Sequence, residues 1–255
     1  VVSIPMIYFL CNMENEEQVH KSRNWVGTII TLAMLFFVGF FVYKVVFYAK
    51  AIQSGEIDPS SLSYSGAFST SESLANAPLP DGEFNLVTTD DPSLGSVRAP
   101  VQIVEFADFG CPYSQDSSVT MRALAQKYPE QINYVYRDFP ITELHPMAEQ
   151  AAQAGECAQE QGVFWEYHDK LYQNQFDSSR KEFVNFAAQL NMNTRVFESC
   201  LDSERFEDEV FEDYTDGLEA GVRGTPTFFI NGNRIPGAIP GDVLETLIQS
   251  VLSNG

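Results

Sequence analysis

The sequence predicts an α/β fold, a mixed central sheet flanked by helices, preceded by one membrane-spanning helix. Three observations carry this. A β-branched-rich run, VQIVEFAD (Val101–Asp108), leads almost directly into a helical stretch from about Pro112 to Lys127. A second strand, INYVYRDF (Ile132–Phe139), follows with period-two alternation. Towards the C-terminus, TPTFFI (Thr225–Ile230), an Asn231-Gly232 turn and NRI form a β-hairpin, closed by a helix over Gly241–Leu252. Near the N-terminus, twenty uncharged residues, Asn24 to Tyr43, are dominated by Ile, Leu, Phe and Val. At helical rise they cover the hydrocarbon core of a bilayer.

Taken in order, residues 1–23 form a short leader. Met13 opens MENEEQVHKSRN and is the expected translation start, which would leave Cys11 outside the protein. The transmembrane anchor spans 24–49, with Trp25 and Tyr43 at its ends, where amphipathic rings favour the interface. A buried core helix of this length would show a polar face. A cleaved signal peptide would be shorter and followed closely by a small-x-small site. Lys21 and Arg23 balance Lys44 and Lys50, so charge sets no orientation. Residues 50–82 are Ser-rich without hydrophobic periodicity and read as a flexible linker. The folded domain covers 83–255. In it FNLVTT (Phe84–Thr89) reads as a short strand, and a mainly helical insert occupies about 145–221. Within the insert, Ser179-x-x-Glu182 is a capping box, and Phe183, Phe186, Ala187 and Leu190 trace one apolar face. The expected order is β-β-α-β, helical insert, β-β-α.

The net charge of −20 argues against nucleic acid or an anionic membrane surface as partner. Cys11, Cys111, Cys157 and Cys200 form no closely spaced pair, which speaks against a zinc cluster. Cys111 stands where a buried strand passes into a helix, with Pro112 at the first helical position. The free N–H groups and partial positive charge of a helix start stabilise a thiolate, the nucleophilic form of cysteine. A buried, inert cysteine is the alternative on position alone.

FADFGCPYS (Phe106–Ser114) resembles the active-site segment of the DsbA-like thiol–disulfide oxidoreductases of the thioredoxin superfamily. Further matches follow in order: ELHPMAEQAAQAGECAQEQGVFWEYHDKLYQNQ, then FESCLDSE, then GVRGTPTFFINGNRIPGA. The resemblance covers about Glu83 to Gly255. It implies a thioredoxin fold with a helical insertion, and makes Cys111 the attacking cysteine. Pro112, Tyr113, Thr225 and Pro226 would contribute to the substrate-binding surface. Pro226 would be a cis-proline facing the thiol, leaving nearby backbone groups free to pair with an extended substrate segment. Glu105 falls where the family has a buried acid beneath the site, positioned to move a proton to or from a thiol. Strand alternation does not fix its facing, and a salt-bridged strand residue is the alternative.

The family pattern is CPYC, and Ser114 here replaces the second cysteine. A serine can hydrogen-bond to the Cys111 thiolate but cannot form a disulfide with it, so self-contained dithiol oxidation at this site is excluded. Three readings follow. Cys111 works as a monothiol, with resolution by the substrate's own thiol or a small thiol; or the protein captures thiol-bearing clients without turnover; or Cys157 or Cys200 is the resolver. Cys157 shares a helical face with Met147, Ala151, Ala154 and Ala158, and Cys200 with Val196, Phe197 and Leu201. Both point towards a core, as a structural disulfide or as two buried thiols. His145 and His168 are expected in packing and loop roles, and Trp165, Tyr167 and Tyr172 in the core. Neither cofactor nor metal is implied. The expected partners are cysteine-containing extracytoplasmic proteins, with a small thiol or a membrane redox partner to reset the site. The expected location is the cell membrane, single-pass, with the C-terminal domain outside the cytoplasm, where disulfide chemistry belongs.

Overall fold

The computed structural model of the protein describes residues 25, 27–44, 67–80, 82, 84–175 and 179–254, in two compact units, Val1–Ser63 and Tyr64–Gly255. In the first unit, helix α1 (Gly27–Lys44) is long and apolar enough to cross a membrane. Its Leu32, Phe36, Phe37 and Phe41 side chains are exposed. The predicted leader, with Met13 and Cys11, lies outside the described residues.

The second unit is built on a five-stranded sheet in the order β1-β3-β2-β4-β5. The strands are β1 (Ser93–Gly95), β2 (Val101–Ala107), β3 (Ile132–Asp138), β4 (Thr227–Ile230) and β5 (Asn233–Pro236). β2 and β3 run parallel, and the other neighbours are antiparallel. Helices cover both faces: α2 (Glu72–Ala75), α3 (Pro112–Lys127), α4 (Ala148–Gln159), α5 (Phe164–Gln173), α6 (Arg180–Gln189), α7 (Thr194–Asp202), α8 (Glu207–Glu219) and α9 (Gly241–Asn254). The arrangement is the thioredoxin fold, with a helical block between β3 and β4. The two central strands are buried on both faces almost throughout, so Glu105, Asn133, Arg137 and Asp138 are buried with their apolar neighbours, and the period-two pattern of β3 does not mark an exposed face.

Alternation assigns the faces. Val101, Ile103 and Ala107 join Tyr134 and Tyr136 in a core completed by Met121 and Leu124 of α3, Leu244 and Ile248 of α9, and the helices α4 to α7. Val104, Phe106, Val135 and Phe139 join Leu74 of α2 and Ala220 and Val222 beyond α8. Each fully buried Ile or Phe contributes about 1.5–3 kcal/mol, so these two layers dominate the favourable side of folding. Ser179 caps α6 by accepting from the Glu182 N–H. The Glu182 carboxylate, however, accepts from the Asn185 amide, which sits one turn along the helix, rather than returning to Ser179. Cys157 of α4 and Cys200 of α7 are joined in a disulfide, their Cα atoms 5.9 Å apart.

Two expectations are corrected. FNLVTT forms no strand: Phe84, Leu86 and Val87 pack against the second core layer, and the edge position beside β3 is taken by Ser93–Gly95. The alternation there records burial against a face, not ladder pairing. Nor is the linker unstructured up to Gly82. Residues 67–80 pack on the domain: Leu74 is buried, Ser71 caps α2, and Ser69 pairs with Thr225. Serine content reads as disorder when averaged over a window, yet here single serines serve as a cap and a bridge. Residues 50–66 lie outside the described residues.

Candidate active site around Cys111

β2 and β4 run antiparallel with Phe106 opposite Thr227. Residues leaving β2 therefore lie beside residues entering β4, and this register brings Cys111 to Thr225 and Pro226 across 114 positions of sequence. The crevice beyond the carboxyl ends of parallel strands is the usual place for a site in such sheets. Cys111 is the N-cap of α3, with Pro112 opening the helix. Its thiol is fully buried and free. Sγ lies 3.2 Å from the Thr225 carbonyl oxygen and 3.3 Å from Ser69 Oγ. The Thr225–Pro226 peptide is cis. Pro112 and Tyr113 are exposed at the helix start, while Thr225 and Pro226 are buried.

Ser114 is buried too, but its hydroxyl accepts from the Asp108 N–H at 3.4 Å. The hydroxyl that faces the thiol is that of Ser69, 42 residues upstream. Ser114, a residue able to bond a thiolate, thus makes its contact here with the Asp108 backbone. The expectation of free backbone groups beside Pro226 is corrected, because the Thr225 N–H and carbonyl are both paired with Ser69.

The loop before Cys111 is held by side chains with no obvious motif. Asp108 accepts from the Gly110 N–H at 2.7 Å, from the Ile141 N–H at 2.8 Å, and lies 2.8 Å from His145 Nδ1. Gln175 donates to the carbonyls of Phe109 and Cys111, at 2.8 and 2.9 Å. Asp108, Ser69 and Gln175 were not foreseen, because each acts through a contact distant in sequence.

Glu105 faces the larger core with Ile103 and Ala107 on either side, and is almost wholly buried. The Tyr134 hydroxyl donates to its Oε2 at 2.7 Å, while Oε1 has no hydrogen-bond partner among the described residues. Burial pushes its pKa up to about 8, against a smaller downward pull from Tyr134. Tyr172, expected only as core, is more than that: its hydroxyl pairs with Tyr136 at 2.9 Å. Its pKa is raised by burial first, then by the charge of Glu105 and, more weakly, that of Cys111, so it lies within the field of both groups. His168 packs edge-to-face among Phe109, Tyr136 and Tyr172, and burial lowers its pKa. Its place is in the core.

A second polar cluster lies around Arg137, which pairs with Asp91 at 3.2 Å and Asp216 at 2.9 Å. Asp91, Glu209 and Asp213 each present an oxygen within 4.8 Å of the others. Burial lifts Asp91 to about 9 and Asp213 to about 6. The Arg137 guanidinium beside them opposes this rise.

The sequence model of the family described as thioredoxin matches residues 87–250. Among solved structures, BdbD of Bacillus subtilis is 22% identical with a TM-score of 0.60, covering 70% of this chain and 100% of that one. The thiol-disulfide exchange protein alpha-DsbA2 of Wolbachia pipientis is 18% identical with a TM-score of 0.56, covering 63% and 87%. At these identities the likeness is one of fold. A Na(+)/H(+) antiporter NhaA 3 of Salinispora tropica is 35% identical over 178 residues, 68% of this chain and 27% of the antiporter. The chain thus spans about a quarter of the length of the curated relatives it matches. That family model spans well over half of the sequence, and the chain belongs to the thioredoxin family.

Proposed function

We propose that this protein exchanges thiols and disulfides with cysteine-containing proteins through the single thiol of Cys111. The observation that carries this is the placement of Cys111 Sγ at the start of α3, 3.2 Å from the Thr225 carbonyl ahead of Pro226. In the exchange, the Cys111 thiolate attacks one sulfur of a client disulfide. A Cys111–client mixed disulfide forms and the other client sulfur leaves as a thiolate. Ser114 has no sulfur to release the client, and Cys157 and Cys200 are tied to each other. Release therefore falls to the client's second thiol or to a small thiol, which gives isomerase-like or reductase-like turnover. Glu105, protonated or ionised near neutral pH, is suited to hold or accept a proton beneath the site. The apolar α1 supports a membrane anchor, and the domain is placed outside the cytoplasm because disulfide chemistry belongs there.

The test offers the full-length protein a glutathionylated cysteine peptide and follows mixed disulfides by mass spectrometry. Native protein is expected to capture the peptide on Cys111, and Cys111→Ala to abolish capture. Ser114→Cys is expected to release the peptide by forming an internal disulfide. Peptide affinity that survives Cys111→Ala, with no covalent capture by the native chain, would instead identify a client-binding protein without turnover.

A further inference from the structure

The thiol of Cys111 is fully buried, and part of what faces it is the segment Ala67–Thr70. That segment precedes the residues the family model matches, 87–250. It runs antiparallel to the residue before Pro226. The Ser69 N–H donates to the Thr225 carbonyl at 2.8 Å, and the Thr225 N–H donates to the Ser69 carbonyl at 2.9 Å. A further bond runs from the Ala238 N–H to the Ala67 carbonyl at 3.0 Å. Ser69 Oγ sits 3.3 Å from Cys111 Sγ. Phe68 lies over Gly224, where an added Cβ would come within 2.3 Å of both the Phe68 ring and the Ser69 carbonyl oxygen. Glycine at that position leaves room for the ring.

We propose that Ala67–Thr70 occupies the groove that client cysteines enter, with Ser69 in the place of the client's cysteine. The segment's side chains then define the preferred client: an extended stretch with an aromatic residue immediately before the cysteine. This rests on the exchange function proposed above and deepens it. Adding an extended segment to an exposed backbone edge is a general mode of peptide recognition, in which main-chain bonds give affinity and side-chain seats give specificity. Serine matches cysteine in shape but carries no sulfur, so the segment can fill the groove without being trapped as a mixed disulfide. Being part of the chain, it competes at a fixed effective concentration, and a client must displace it. Among the described residues the main-chain contact is three hydrogen bonds, small enough to open.

The test uses the full-length protein. Ser69→Pro removes the N–H that binds the Thr225 carbonyl, and Cys111 is then expected to alkylate with iodoacetamide at least about tenfold faster than in the native chain. Equal rates would overturn the proposal. Ser69→Cys, incubated with oxidised glutathione, is expected to form a disulfide between positions 69 and 111. The two thiols lose two protons and two electrons, and the glutathione disulfide is reduced to two glutathione molecules. Thr70→Cys is expected to form no such link, and its absence in Ser69→Cys would also overturn the proposal. For the client class, glutathione mixed disulfides of Ala-Phe-Cys-Thr and Ala-Asp-Cys-Thr are offered to Ser69→Pro. The Cys111 thiolate attacks the peptide sulfur and glutathione leaves as its thiolate. The aromatic peptide is expected to react at least about fivefold faster, and equal rates would overturn the client class. If Ser69→Pro alkylates fast but accepts neither peptide, groove occupancy is upheld and the exchange function fails.

Discussion

Glu105 is the residue at which burial and chemistry meet. Its neighbours on the same face of β2 are Ile103 and Ala107, and one carboxylate oxygen accepts from the Tyr134 hydroxyl. Burial raises its folded pKa from about 4.5 to about 8. The folded state therefore binds the proton more tightly than the unfolded chain. Stability linked to this group is fully present below about pH 4.5 and is lost as pH rises towards about 8. The loss is at most about 1.4 kcal/mol per pH unit in that window. Glu105→Gln, which cannot ionise, is expected to raise the urea midpoint over the native protein at pH 8 and to leave it nearly unchanged at pH 4.5. Asp91 and Asp213 are also raised, so the difference between variant and native protein, not the native profile, carries the test. An equal effect at both pH values would show that the carboxyl is not held protonated by burial.

At the scale of the element, the loop between β2 and α3 is positioned more by its neighbours than by its own sequence. Gly110 approaches His145 so closely that an added Cβ would lie 2.5 Å from the His145 Cβ. Asp108 meanwhile binds the Gly110 N–H, the Ile141 N–H and the His145 ring together. Gly110→Ala is expected to push His145 off Asp108, at a cost of about 1–3 kcal/mol from overpacking. A urea titration measures that cost, and alkylation of Cys111 reports the accompanying displacement of the thiol. An unchanged midpoint would mean that the loop can yield at no cost. The strands and helices around this loop were legible: the span Pro112–Lys127 follows from its opening proline and its periodicity. FNLVTT was misread because its apolar spacing suits a strand and a covering segment equally well.

At the scale of the domain, the disulfide closes a stretch with its cysteines 43 residues apart, linking α4 and α7 within the helical block. Loop-closure entropy for a loop of that length corresponds to about 4 kcal/mol, within the usual range of about 2–5 kcal/mol for native disulfides. The double variant Cys157→Ala, Cys200→Ala is expected to lose stability of that order in urea yet keep peptide capture on Cys111. A variant that stayed folded but lost turnover while capturing peptide would place the resolving thiol at one of these two positions instead.

Features that depend on near neighbours are legible in the chain alone. The apolar Gly27–Lys44 helix, the buried runs of β2 and β3, the Asn231-Gly232 turn and the cap of α6 at Ser179 are all set within a few residues. The family motif also singled out Cys111, Ser114 and Pro226, because a reactive thiol needs its strand–helix junction in continuous sequence. Only the tertiary structure decided which face Glu105 takes, that Ser114 turns to Asp108, and that Ser69 meets the thiol. The first two depend on strand register and on how the loop before α3 is held, and the last on contacts 42 and 114 positions apart. Such contacts form only after long loops have closed around a packed sheet, and they impose no period on the chain that a reading of neighbouring residues can detect.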